Sequence, residues 1–91
     1  MNVTFDRKFF KDFSKLPEHI QKSFAELHEV FFEVSTIRDI PNCLKLAGNE
    51  NIYRVRIGDY RITFKSKDTN SIEFRRFLSR GQVYKKHISK K

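Results

Sequence analysis

The sequence predicts an α+β fold: an N-terminal helical hairpin packed on one face of an antiparallel sheet of about four strands, in the order β-α-α-β-β-β. Three observations carry this. Apolar residues recur every three or four positions up to about residue 34, and at every second position from about residue 52. Pro17 divides the helical half in two. Ten Phe and three Tyr, in a chain of 91 residues without Trp, supply the bulk that so small a core needs.

The elements follow in order. Val3-Thr4-Phe5 is short and β-prone and opens the chain as a strand. Asp6 stands at a helix N-cap, its carboxylate placed to accept from the free amides of the first turn. Phe9, Phe10, Phe13 and Leu16 then mark one face of a helix from about residue 7 to 15. Pro17 ends it and suits the first turn of a second helix, from about 17 to 34, whose apolar face is Ile20, Phe24, Leu27, Phe31 and Val34. Residues 35–43 have no period and read as a loop. Tyr53, Val55 and Ile57 alternate with Arg54 and Arg56 in a strand, and Tyr60, Ile62 and Phe64 alternate with Arg61, Thr63 and Lys65 in the next. Gly58-Asp59 separates them, in an order weaker for a tight hairpin than Asp-Gly. Asp68-Thr69-Asn70 makes another turn, Ile72 to Leu78 the last strand, and residues 82–91 a short tail.

Composition narrows the function classes. The length predicts one domain over residues 1–91. No apolar run reaches the ~20 residues of a membrane helix, and the first twenty residues are too charged for a signal peptide, so the expected compartment is the cytoplasm with no membrane partner. A single cysteine, Cys43, forbids an internal disulfide, and with three His it leaves too few ligands for a structural zinc site. No metal and no small-molecule cofactor is expected. The net charge is +8, and it is uneven: residues 1–43 carry six Lys/Arg against seven Asp/Glu, and residues 44–91 carry thirteen against four. That skew points to a polyanion, most simply nucleic acid.

Alternation places Arg54 and Arg56 on one face of their strand, and the hairpin brings Arg61 to the same face, within roughly 5–8 Å at the β-carbons. Like charges so placed destabilise a sheet unless an anion answers them, and each guanidinium offers a fork that fits phosphate oxygens. The plain alternative is a solvated face of long side chains, but such a face usually mixes both charge signs. Strand phase sets Arg75 with this basic face and Arg76 with Ile72 and Phe74, unless a bulge shifts it. Arg80 and Tyr84 share a face whether that stretch is helical or extended, and Tyr84 either stacks on a base or simply packs. His19 and His28 read as solvent-facing, whereas His87, among lysines, is an acid or base near neutral pH or a tail residue without a role. Cys43 reads as inert, and the scarcity of carboxylates in the basic half argues against a metal-dependent nuclease.

The run Tyr53-Arg54-Val55-Arg56-Ile57-Gly58-Asp59-Tyr60-Arg61-Ile62 closely resembles the central motif of the RelE/ParE superfamily of toxins. Leu44-Lys45-Leu46-Ala47-Gly48 resembles the K-L-x-G element before it. Phe5-Asp6 with Phe9-Phe10, then Lys15-Leu16-Pro17, resembles the family's opening, and Arg80 to Tyr84 its closing H-R-x-x-[IV]-Y pattern, with Ser79 where His is frequent. The resemblance implies a RelE-like fold and the toxin of a type II toxin–antitoxin pair, partnered by a cognate antitoxin and by mRNA on the ribosome. It implies an endoribonuclease in which the substrate's own 2′-hydroxyl attacks the adjacent phosphate without a metal. Carried onto this chain, it assigns catalytic roles to Arg54, Arg56, Arg61, Arg80, Tyr84 and His87. RNA phosphates then fall to Lys45, Arg54, Arg56, Arg61, Arg75 and Lys85. Arg stands at both positions of the basic pair where some active members carry Lys, and Arg does not give up its proton, so either His87, Tyr84 or Lys45 takes the proton or the enzyme is slower. Two alternatives share the basic patch: a ParE-like inhibitor of DNA gyrase without nuclease chemistry, and a degenerate member that only binds RNA or antitoxin. On this reading, Arg61→Ala abolishes toxicity and leaves the fold intact.

Overall fold

A computed structural model of the chain describes residues 1–46, 48 and 51–82. Strand β1 (Asn2–Phe5) leads into helices α1 (Arg7–Ser14) and α2 (Glu18–Glu33); a short 3-10 turn (Ile37–Asp39) then precedes β2 (Cys43–Lys45), β3 (Ile52–Ile57), β4 (Tyr60–Asp68) and β5 (Ser71–Ser79). Asp6 caps α1 as expected, its carboxylate accepting from the Lys8 N–H at 2.8 Å. Pro17 is the N-cap residue of α2, and the Gln21 amide donates across the link to the Phe13 carbonyl at 2.9 Å.

Two features of the sheet differ from the sequence reading. It has five strands, because Cys43–Lys45 pairs antiparallel with β3 in a stretch assigned to the loop and its boundary. Three residues are too few to show a period, and this strand is defined by its partner. The sheet is also mixed: its order is β1-β5-β4-β3-β2, and β1 runs parallel to β5. The helices carry the chain across the sheet to the far edge, and an antiparallel meander returns to β1. Its last strand then lies beside the first and points the same way.

Both helices pack on one sheet face through phenylalanines. Phe74 sits at the centre, its ring centroid 5.0 Å from Phe31, 5.4 Å from Phe9 and 5.5 Å from Phe24. Val55, Ile62 and Phe64 are buried on that face, with Tyr53, Ile57 and Tyr60 packed at its margin. Phe10, expected in the core, is 57% exposed: it lies about 100° around the helix from buried Phe9. His28 is the reverse case. It was expected in solvent, yet its ring lies 5.6 Å from Phe24, 5.7 Å from Phe5 and 4.7 Å from Phe32, and among the described residues its buried Nε2 has no hydrogen-bond partner. His19 is exposed, as expected.

Candidate functional site

The hairpin between β3 and β4 closes through two residues, with Ile57 opposite Tyr60. Gly58 has φ +57°, and Asp59 is not among the residues with positive φ. A type II′ turn makes that demand, with glycine at its first central position, so the Gly-Asp order suits this hairpin well. A loop of two residues leaves no freedom of register. Arg56 therefore stands directly opposite Arg61, and Arg54 opposite Thr63. Directly opposed residues share a face, so Arg54, Arg56 and Arg61 lie together on the side away from the helices.

That face is not uniformly open. Arg56 is exposed and Arg54 half-buried, but Arg61 is only 7% exposed, and its register partner Leu78 and Thr63, two residues along β4, are buried as well. The Arg61 guanidinium donates to the carbonyls of Gly58 and Tyr60, each at 3.1 Å. The expectation of an open row of three arginines is corrected here: the innermost is built into the turn. Arg80 reaches the same turn from the other side. Its backbone N–H donates to the Asp59 carbonyl at 3.0 Å, while its side chain is exposed. Gln82 fixes this exit from β5, its Oε1 accepting from the Ser79 N–H at 3.2 Å and from the Ser79 hydroxyl at 3.0 Å. The Gly58-Asp59 turn thus gathers Arg56, Arg61 and Arg80, with Arg54 two residues further along β3.

Other expected site residues lie elsewhere. Lys45 pairs with Tyr53 and so shares the opposite face from Arg54 and Arg56. Arg75 is the extra residue of a bulge, because Phe64 pairs with Phe74 and Thr63 with Arg76. It reaches Asp6 at 3.6 Å and Glu73 at 3.7 Å. The bulge also brings Phe77 to the helix side together with Phe74, where the ring of Phe77 lies 5.7 Å from that of Phe9. Tyr84, Lys85 and His87 fall outside the described residues.

Sequence reading missed an ion pair beside this site. The Asp12 carboxylate on α1 accepts two hydrogen bonds from Arg76, at 2.8 and 3.1 Å, and one from the Phe77 N–H at 3.0 Å. Burial alone would raise the Asp12 pKa, but those hydrogen bonds, with the charges of Arg76 and Lys15, more than offset it and hold the carboxyl below its ordinary value. The same contact raises Arg76. The partners are 64 residues apart, and no local pattern announces them. The pair borders a cleft of about 370 Å³ between the end of α1 and the end of β5, which Lys15, Tyr60, Ser79 and Gln82 also line. A second pocket, of about 680 Å³, lies behind β2 and includes Cys43, Lys45 and Tyr53. Burial pushes the Cys43 thiol up to about 11, with Arg54 opposing, so it is protonated at neutral pH and a poor nucleophile.

Clustered guanidinium groups at a rigid turn can grip phosphate and stabilise added negative charge, but they do not exchange protons near neutral pH. Comparisons with known proteins agree with the fold. A family model described as the ParE toxin of type II toxin–antitoxin systems matches residues 3–84. Toxin RelE3 of Methanocaldococcus jannaschii is 34% identical over 85 residues, covering 92% of this chain and 96% of the relative. The RelB–RelE antitoxin–toxin complex from Methanococcus jannaschii contains a chain that superposes with a TM-score of 0.79 at 31% identity, covering 91% of this chain and 96% of that one. A chain of the archaeal RelE–RelB complex from Pyrococcus horikoshii gives a TM-score of 0.70 at 24% identity, over 89% and 96% of the two chains. With the meander, the helical hairpin and the arginine turn in place, the chain belongs to the RelE/ParE superfamily and is a toxin of the type II toxin–antitoxin class.

Proposed function

We propose that this toxin is a ribosome-dependent mRNA endoribonuclease, acting in the cytoplasm as one domain and held inactive by a cognate antitoxin. The observation that carries the reading is the arginine cluster at the Gly58-Asp59 turn: Arg56 opposite Arg61, with Arg80 anchored to Asp59. In the reaction, the substrate's 2′-oxygen attacks the adjacent phosphorus and the bond to the 5′-oxygen breaks. A 2′,3′-cyclic phosphate and a 5′-hydroxyl result, and the proton lost by the 2′-hydroxyl is balanced by one gained at the leaving oxygen. The phosphorane between them carries an extra negative charge. Arg56 and Arg80, exposed on either side of the turn, stabilise it, while buried Arg61 holds the turn in shape. Arg54 contacts the neighbouring phosphate. Proton transfer falls to Tyr84 or His87. The RelB–RelE complexes of the relatives support a cognate antitoxin, whose acidic segment would cover the same arginines.

The test is to incubate the purified chain with a defined mRNA, with and without programmed ribosomes, and to map the ends. Cuts that require ribosomes and leave 5′-hydroxyl ends are expected. A second reading, gyrase inhibition without cleavage, draws on the ParE family match. Intact mRNA in both reactions, together with arrested DNA supercoiling by gyrase, would establish it instead.

A further inference from the structure

The near-neutral sum over residues 1–43 conceals two charged helices of opposite sign. Arg7, Lys11 and Lys15 follow one another one turn apart along α1 and its C-cap, with Lys8 beside them, and all four are exposed. At about 100° per residue they fall within one sector of about 100°, and Phe9 and Phe13 point the other way into the core. On α2, Glu18, Glu26, Glu29 and Glu33, with Lys22, make the corresponding exposed stripe.

The first half of the stripe works against the helix that carries it, whereas Lys11 and Lys15, in the last turn and at the C-cap, suit its dipole. Arg7 and Lys8 lie in the first turn, where the helix dipole favours anions, and no acidic residue accompanies them there. Arg7–Lys11 and Lys11–Lys15 are like-charge pairs at the destabilising spacing. The one carboxylate within α1, Asp12, is already occupied by Arg76 and the Phe77 amide. Among the described residues none of the four cations makes an ion pair. Lys15 also lines the cleft shared with Tyr60, Ser79 and Gln82, so the stripe runs up to the segment that anchors Arg80.

We propose that this stripe of α1 is a second RNA-binding surface, meeting the segment that carries Arg80 only at its Lys15 end, which grips backbone phosphates of structured RNA outside the strand being cut. This rests on the RNA-directed reading of the site but not on cleavage. The test uses the full chain and an RNA hairpin with every 2′-hydroxyl methylated, which cannot undergo 2′-oxygen attack. Binding is measured between about 50 and 200 mM salt. Lys11→Gln/Lys15→Gln should flatten the plot of log affinity against log salt by about 1.5, the value for two lost phosphate contacts. Binding should weaken at least about tenfold at the low-salt end, while a cooperative thermal melt shows that the variant keeps its fold. Lys11→Arg/Lys15→Arg should restore the slope, and Glu26→Gln/Glu29→Gln should leave it unchanged. An unchanged slope in the lysine variant overturns the proposal, as does an equal change in the α2 variant, which would reduce the effect to net charge. Lysine variants that keep the RNA slope but lose the cognate antitoxin overturn it too and assign the stripe to an acidic peptide. A changed slope together with failed mRNA cleavage leaves the RNA surface standing and removes only the nuclease.

Discussion

Arg56 and Arg61 face each other across one hairpin, and substituting them should have different consequences. Arg56 is exposed, so Arg56→Ala should leave stability within about 0.5 kcal/mol while slowing ribosome-dependent cleavage by about 10²–10³, the scale for one lost transition-state donor. Arg61 holds two carbonyls of the turn from a buried position, so Arg61→Ala should cost about 1–3 kcal/mol as well as activity. Urea unfolding beside end-mapped cleavage separates the two. The sequence-based expectation that Arg61→Ala spares the fold is therefore revised, because alternation assigns a face and says nothing about depth. His28 makes the same point from the apolar side. Its Nε2 is buried among aromatic rings without a partner among the described residues, and His28→Phe should be neutral or stabilising by up to about 1 kcal/mol in the same assay.

At the scale of elements, the site depends on a turn and a clamp. Gly58 at φ +57° needs its glycine for backbone reasons, since an added Cβ would meet Ile20 Cδ1 only at 3.6 Å, an ordinary contact. Gly58→Ala should cost about 1 kcal/mol or more, and Gly58→Asn less, because Asn tolerates positive φ better; thermal melts would rank them. Asp12 clamps α1 to the bulged end of β5. Its depressed pKa means that the clamp stabilises the fold above the unfolded carboxyl value and fades as pH falls through the lower folded one. Asp12→Asn should therefore lose about 2 kcal/mol at pH 7, and the gap from wild type should close progressively below about pH 4. Denaturation at both pH values checks the sign, and a gap that widened in acid would refute the assignment.

At the scale of the whole molecule, charge is organised by surface and not by position along the chain. Arg54, Arg56, Arg61 and Arg80 gather at one turn and α1 carries a basic stripe, while α2 carries acid. An antitoxin that neutralises the arginine turn should bind with strong salt dependence, and Arg54→Gln/Arg56→Gln should reduce that dependence along with affinity. Titration calorimetry at two ionic strengths would show it; equal affinities at both would place the antitoxin on the apolar surface instead.

The sequence by itself determined the helix pair, the two long meander strands, the shared face of Arg54, Arg56 and Arg61, and the family motif. Each depends on neighbours within a few residues, where periodicity, capping and turn chemistry operate. Only the tertiary structure decided that β2 is a strand, that β1 runs parallel to β5, that Arg61 is buried in the turn while Arg56 is free of it, and that Asp12 reaches Arg76. Lys45 lies on the far face for the same reason. Each of these is a pairing between distant parts of the chain, set by where the helices deliver the meander and how the strands register. Local pattern does not encode such a pairing.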